Sequence, residues 1–102
     1  MFRDKKIVVV MPAYNAAETL LKTYQEAMEQ DVVDLIIVVD DASQDETTAI
    51  ARKLSNTKVH THPRNLGYGA NQKTCYRLAL EEQADIVIIC LLYTSPSPRD
   101  RS

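Results

Sequence analysis

Two runs of consecutive apolar residues, Ile7-Val8-Val9-Val10-Met11 and Leu35-Ile36-Ile37-Val38-Val39, constrain this chain more than any other feature. A strand with one face in water alternates apolar and polar residues. A run this rich in β-branched side chains, without alternation, is the mark of a strand buried on both faces. Helices must cover those faces, so the expected fold is α/β, a Rossmann-like and mostly parallel sheet with flanking helices. The intervening segments support this. Asn15 three residues before Glu18 resembles a capping box, opening a helix to about residue 30 with Leu20, Tyr24, Ala27 and Met28 inward. Ser43 before Glu46 opens a second helix to about residue 54, with Ala49, Ile50 and Leu54 toward the sheet. Residues 58–61 read as a short third strand and 63–67 as a loop. Residues 68–83 read as a helix with Cys75, Leu78 and Ala79 inward, and 85–89 as a fourth strand. Pro12 is expected to stop the first strand.

Composition narrows the class of function. A chain of 102 residues holds one small domain, and 45% hydrophobic with 25% charged residues is ordinary for a globular one. A net charge of −2, few aromatics and no Trp give no footing for a nucleic-acid partner. Cys75 and Cys90 lack the spacing of a disulfide framework or zinc motif, so a reduced, cytoplasmic setting is expected. The apolar run 7–11 is too short for a signal peptide or a membrane segment. From Cys90 the texture changes to Cys90-Leu91-Leu92-Tyr93-Thr94-Ser95-Pro96-Ser97-Pro98-Arg99-Asp100. That peptide resembles, in one reading frame, the translation of a transposase-type sequencing adapter. Residues 90–102 are therefore set aside as a non-native or disordered tail, and 1–89 are read as an incomplete domain. A sheet cut short exposes an edge strand and apolar surface, so a marginal, aggregation-prone product is expected.

In an open parallel sheet, ligands gather at the C-terminal ends of the strands. Three loops meet there, and each holds residues with chemistry. Asp40 and Asp41 follow the second run, where a carboxylate can accept hydrogen bonds from a base or sugar, bind a divalent cation, or merely cap the next helix. Tyr14 can stack on a base or pack as an ordinary half-buried ring. Arg64 precedes Asn65-Leu66-Gly67-Tyr68-Gly69, where glycine lets backbone amides approach an anion and Arg64, with Lys73, adds charge. Gly67-Tyr68-Gly69 is not the dinucleotide fingerprint, and it follows the third strand rather than the first. His60 and His62 stand at alternate positions and can share a metal, but no third ligand is evident.

Three segments together resemble glycosyltransferase family 2, on the GT-A fold. They are Val8 to Asn15 with Glu18, then Ile36 to Ser43 with Asp45 and Thr47, then Asn65-Leu66-Gly67-Tyr68-Gly69-Ala70-Asn71. The resemblance spans about residues 5–88. It implies a substrate-binding set of Pro12, Tyr14, Asn15, Glu18, Asp40, Asp41, Arg64 and Gly67. In it Tyr14 packs on the base, Asp41 contacts it directly, Glu18 helps hold the nucleotide, and Arg64 and Gly67 lie near the diphosphate. It implies a UDP- or GDP-sugar donor, and Mg²⁺ or Mn²⁺ in the full-length enzyme to neutralise the leaving diphosphate. The family's metal motif and catalytic base lie beyond Ile89, so no catalytic residue and no metal are expected here, and the fragment is expected to be inactive. The parent would transfer sugar with inversion to a glycan or polyprenyl phosphate in cell-surface glycan synthesis, in the cytoplasm or at the membrane's cytoplasmic face.

Two competitors remain at this point. A regulatory phospho-acceptor domain of flavodoxin-like topology also carries strand-end carboxylates, but its acidic pair follows the first strand, not the second. A nucleotide-binding module without chemistry is the other.

Overall fold

The computed structural model describes residues 5–30, 32–43 and 46–93. Its elements are β1 (Ile7–Tyr14), α1 (Ala17–Glu29), β2 (Leu35–Asp40), α2 (Thr47–Arg52), β3 (Thr57–Thr61), α3 (Tyr68–Glu81), β4 (Ile86–Ile89) and β5 (Leu92–Tyr93). All pairings are parallel, in the order β3-β2-β1-β4, with β5 beside the end of β1. The chain adds strands in one direction from β1 to β3, then crosses back to β4. With right-handed crossovers that reversal puts α1 and α2 on one face and α3 on the other.

The core divides the same way. Val9, Met11, Ala13, Ile36 and Val38 pack with Leu20 and Ala51, whereas Val8, Val10, Ile37 and Val39 pack with Cys75 and Ala79. Residues 8–11 and 36–39 are at most 2% exposed, which bears out burial on both faces. Each such side chain removed from water contributes roughly 1.5–3 kcal/mol before conformational entropy is counted. β4 is less covered, with Ile86 37% and Ile88 43% exposed.

Three local expectations give way. Pro12 does not end β1. It is buried mid-strand, in register with Val39. The Cys90 amide donates to the Val10 carbonyl, so alternation turns the nitrogen of Pro12 toward that same side. There the neighbouring ladder is broken between Ile89 and Leu92, so no hydrogen bond is lost by lacking an N–H.

Neither capping box forms. The N-caps are Ala16 and Glu46, without side-chain cap bonds. The Asn15 and Ala16 amides instead donate to Ser43 Oγ (2.7 Å) and Thr47 Oγ1 (2.8 Å), hydroxyls of the adjacent β2–α2 junction. Parallel neighbours bring those hydroxyls within reach of amides that a local cap would otherwise serve.

Ala49 is exposed, and the inward row of α2 starts from Thr47 and Ala51, one turn apart, beside half-buried Ile50 and Leu54.

Residues 90–93 take part in the sheet: Leu92 is 7% exposed, and β5 extends the line of β4 past the break. Residues 94–102, with Asp100, lie outside the described residues, as do residues 1–4 and Asp45.

Candidate nucleotide-binding site

The C-terminal ends of β1, β2 and β3 lie side by side. Ala13 is in register with Asp40 and Asp40 with Thr61, while the Asp41 amide donates to Ala13 and the His62 amide to Asp40, each at 2.9 Å. Strand alternation then sorts the side chains. Tyr14 falls on the face of Val10 and Pro12, which is also the face of Val39 and Asp41. Asp40 falls on the opposite face with Val38. The acidic pair therefore does not act as a pair.

Asp40 is fully buried and organises its own loop. Its Oδ2 accepts from the Ser43 amide (3.0 Å) and Thr48 Oγ1 (2.8 Å), and its Oδ1 from Ser43 Oγ. Through Ser43, which also receives the Asn15 amide, Asp40 fixes the β1–α1 loop as well. Asn15 and Ala42 both stand in the left-handed region, at φ 50° and 62°. Asn tolerates that region; Ala meets its Cβ strain in full.

Asp41 is also fully buried. Its Oδ1 accepts from the Leu66 amide and from His62 Nδ1, both at 2.8 Å, and its Oδ2 from the Gly67 amide at 2.9 Å. A carboxylate only accepts, so Nδ1 of His62 carries a proton. The other ring nitrogen meets Thr74 Oγ1 at 2.9 Å. The glycine loop thus approaches an anion within the chain itself, the carboxylate of Asp41. Gly67 supplies the required backbone, with φ 95° at the N-cap of α3.

The remaining expected site residues are placed as follows. Tyr14 is half-buried at the end of β1. Glu18 is exposed in the first turn of α1, and Arg64 is exposed in the loop before α3. Pro12 lies within the core rather than at the surface of the loop. A cleft of about 380 Å³ lies elsewhere, between α1 and β4, lined by Val9, Ala27, Val33 and Ile88.

Two residues escaped the sequence reading. His62 is 4% exposed and bridges Asp41 to Thr74, a role that its spacing from His60 does not show. The rings do meet, edge to face at 5.7 Å. Burial, the neighbouring His62 and Arg77 all depress the pKa of His60. Asn71 is fully buried and donates to the Val39 carbonyl at 2.9 Å. Its place was legible, since Asn71, Cys75 and Ala79 are spaced by four and share one helix face.

The sequence profile of the family described as glycosyl transferase family 2 matches residues 8–91. The chain belongs to glycosyl transferase family 2. That membership removes the phospho-acceptor reading. Among solved structures, the family member is similar to glucosyl-3-phosphoglycerate synthase from Mycobacterium tuberculosis. One structure of that enzyme holds Mn²⁺, UDP and glucosyl-3-phosphoglycerate. It is 26% identical, with a TM-score of 0.68, over 87% of this chain and 34% of the synthase. A second, with Mn²⁺, UDP and phosphoglyceric acid, gives 26% and 0.67 over 87% and 33%. This chain thus spans about a third of the synthase's length. No curated protein matches. The fold is a parallel sheet with helices on both faces, as in GT-A glycosyltransferases.

The described residues do not fit a divalent metal. They contain no group of three His, Cys, Asp or Glu side chains able to hold one. Asp40, Asp41 and His62 are committed to donors and acceptors of the chain itself. No helix among the described residues is long and apolar enough to cross a membrane.

Proposed function

We propose that this glycosyltransferase chain forms the donor-nucleotide cradle of an enzyme that moves sugar from a UDP- or GDP-sugar, with inversion, onto a glycan or polyprenyl phosphate. The observation that carries the reading is the convergence of three βα junctions at one end of the sheet, with Tyr14 and Asp41 on one face. UDP is the better candidate, because both similar synthase structures contain it. Tyr14 offers its ring to the base, Asn15 and Glu18 flank it at the start of α1, and Arg64 supplies charge toward the diphosphate. Asp40 and Asp41 shape the two loops around that space. Cell-surface glycan synthesis in the cytoplasm, or at the cytoplasmic face of a membrane, is the setting proposed for the whole enzyme.

The test is titration calorimetry of the 102-residue chain with UDP and GDP, beside Tyr14→Ala. A base–aromatic stack contributes about 1–3 kcal/mol, so the variant should bind UDP roughly ten- to a hundredfold more weakly. Equal affinity of variant and parent, or no binding of either nucleotide, would sink the reading. Metal-dependent chemistry is assigned to parts of the enzyme other than the described residues, so the chain should bind without transferring. Sugar transfer by the purified chain would contradict that assignment.

A further inference from the structure

We propose that Ser43 and Thr47 are positioning residues for the base: from the β2–α2 junction their hydroxyls hold the loop that carries Tyr14. This rests on the nucleotide-binding reading above and deepens it.

Two consecutive amides follow Tyr14 at the exit of β1, and each donates to a hydroxyl of the next junction. The Asn15 amide meets Ser43 Oγ at 2.7 Å, and the Ala16 amide meets Thr47 Oγ1 at 2.8 Å. The hydroxyls are themselves held in place. Ser43 Oγ donates to Asp40 Oδ1, and the Ser43 amide donates to Asp40 Oδ2. Asp40 is fully buried and also receives Thr48 Oγ1, so it does not yield easily. A carboxylate only accepts, so the single hydroxyl proton of Ser43 points at Asp40 and the oxygen is left to accept the Asn15 N–H. Thr47 is fully buried at the start of α2. Asn15 stands at φ 50°, a sparsely populated backbone region, at the point where these bonds grip the chain.

The two hydroxyls reach the loop from the side away from the ring. Tyr14 leaves β1 on the face of Val10 and Pro12, where Val39 and Asp41 also lie. Asp40 lies on the opposite face with Val38, and α2 packs on that face through Ala51. Ser43 and Thr47 therefore grip the backbone from behind and leave the ring's own face to the base. A stacking ring works only when held in one place, and its direction follows from the backbone that bears it. The same two bonds set how far the exit of β1 stands from that of β2, and so how far Tyr14 stands from Asp41. A loop fixed at two successive amides is ordered before the ligand arrives, and binding does not have to order it.

The test uses the 102-residue chain, UDP as the probe, and the variants Ser43→Ala, Ser43→Thr and Thr47→Val. Two quantities are read: the dissociation constant for UDP and the hydrogen exchange of the Asn15 and Ala16 amides. Ser43→Ala should weaken UDP about tenfold and speed exchange at Asn15 about tenfold, while the Val9 and Val38 amides keep their protection. Ser43→Thr keeps the hydroxyl and should recover most of both losses. A further readout separates positioning from a merely structural role. If Ser43 acts through the Tyr14 loop, then in a Tyr14→Ala background Ser43→Ala should cost less than about twofold in UDP affinity. A loss there as large as in the parent overturns the proposal, as does unchanged UDP affinity or unchanged Asn15 exchange in Ser43→Ala itself. If the parent chain does not bind UDP, the nucleotide reading has failed, and exchange at Asn15 and Ala16 alone decides whether the hydroxyls hold the loop. If Ser43→Ala does not fold, Thr47→Val decides: parent-like exchange at the Ala16 amide overturns the proposal, and faster exchange there supports it.

Discussion

Replacing Asn71 by Ala tests how the site is held to the sheet. The side chain is fully buried on α3, and its Nδ2 donates to the Val39 carbonyl at 2.9 Å, one residue before the acidic pair. Its Oδ1 also receives the Cys75 thiol at 3.4 Å. Truncation removes a helix-to-strand hydrogen bond with a net worth of about 1 kcal/mol. It also leaves two buried partners without Asn71 and opens a small cavity, which raises the cost to about 2–3 kcal/mol. For a domain of this size the urea m-value is roughly 1.5 kcal/mol/M, so the midpoint should fall by about 1.3–2 M. Urea titration at low micromolar concentration, followed by circular dichroism, reads this directly. A shift below about 0.3 M, with an unchanged m-value, would mean that Asn71 is not a tether and that the other contacts of α3, Cys75, Leu78 and Ala79 among them, hold it.

Two further outcomes are expected. Ala42 occupies φ 62° between Asp41 and Ser43, so Ala42→Gly should relieve strain and raise stability by about 0.5–1 kcal/mol; a loss of stability in the same urea assay would show that the strain is not there. The Glu82 carboxyl is held below its usual range, chiefly by its hydrogen bond to Lys58 and then by charge from Lys58 and Lys6. A depressed carboxyl stabilises above its unfolded pKa of about 4.5 and loses that contribution as pH falls through the lower folded value. Glu82→Gln should therefore flatten the loss of stability between about pH 5 and 3, and an unchanged acid limb would contradict the pairing.

The sheet was legible because its signal is dense. Two unbroken β-branched runs permit hardly any arrangement other than doubly covered parallel strands, and the intervening lengths suit single helices. The capping boxes misled because the rule is local. Ser43 and Thr47 are drawn into bonds with Asn15 and Ala16 by a parallel neighbour that only the tertiary structure supplies. The same reason hides the roles of the acidic pair. Adjacent residues on a strand point to opposite faces, so Asp40 and Asp41 had to separate. Asp40 closes on nearby Ser43 and Thr48, whereas the amides that Asp41 meets come from a loop some twenty-five residues further along the chain. His62 was visible only as a spacing from His60; its burial followed from lying beyond the end of β3, above α3.

Mapping UDP onto the ¹⁵N–¹H spectrum of the chain puts the central claim to the most direct trial. Perturbed amides should cluster at residues 14–18, 41–43 and 62–69, the exits of three neighbouring strands, and stay quiet along α1 beyond its first turn and around Ile88. Perturbations confined to the cleft between α1 and β4, or spread without a focus, would mean that these junctions do not form one nucleotide site.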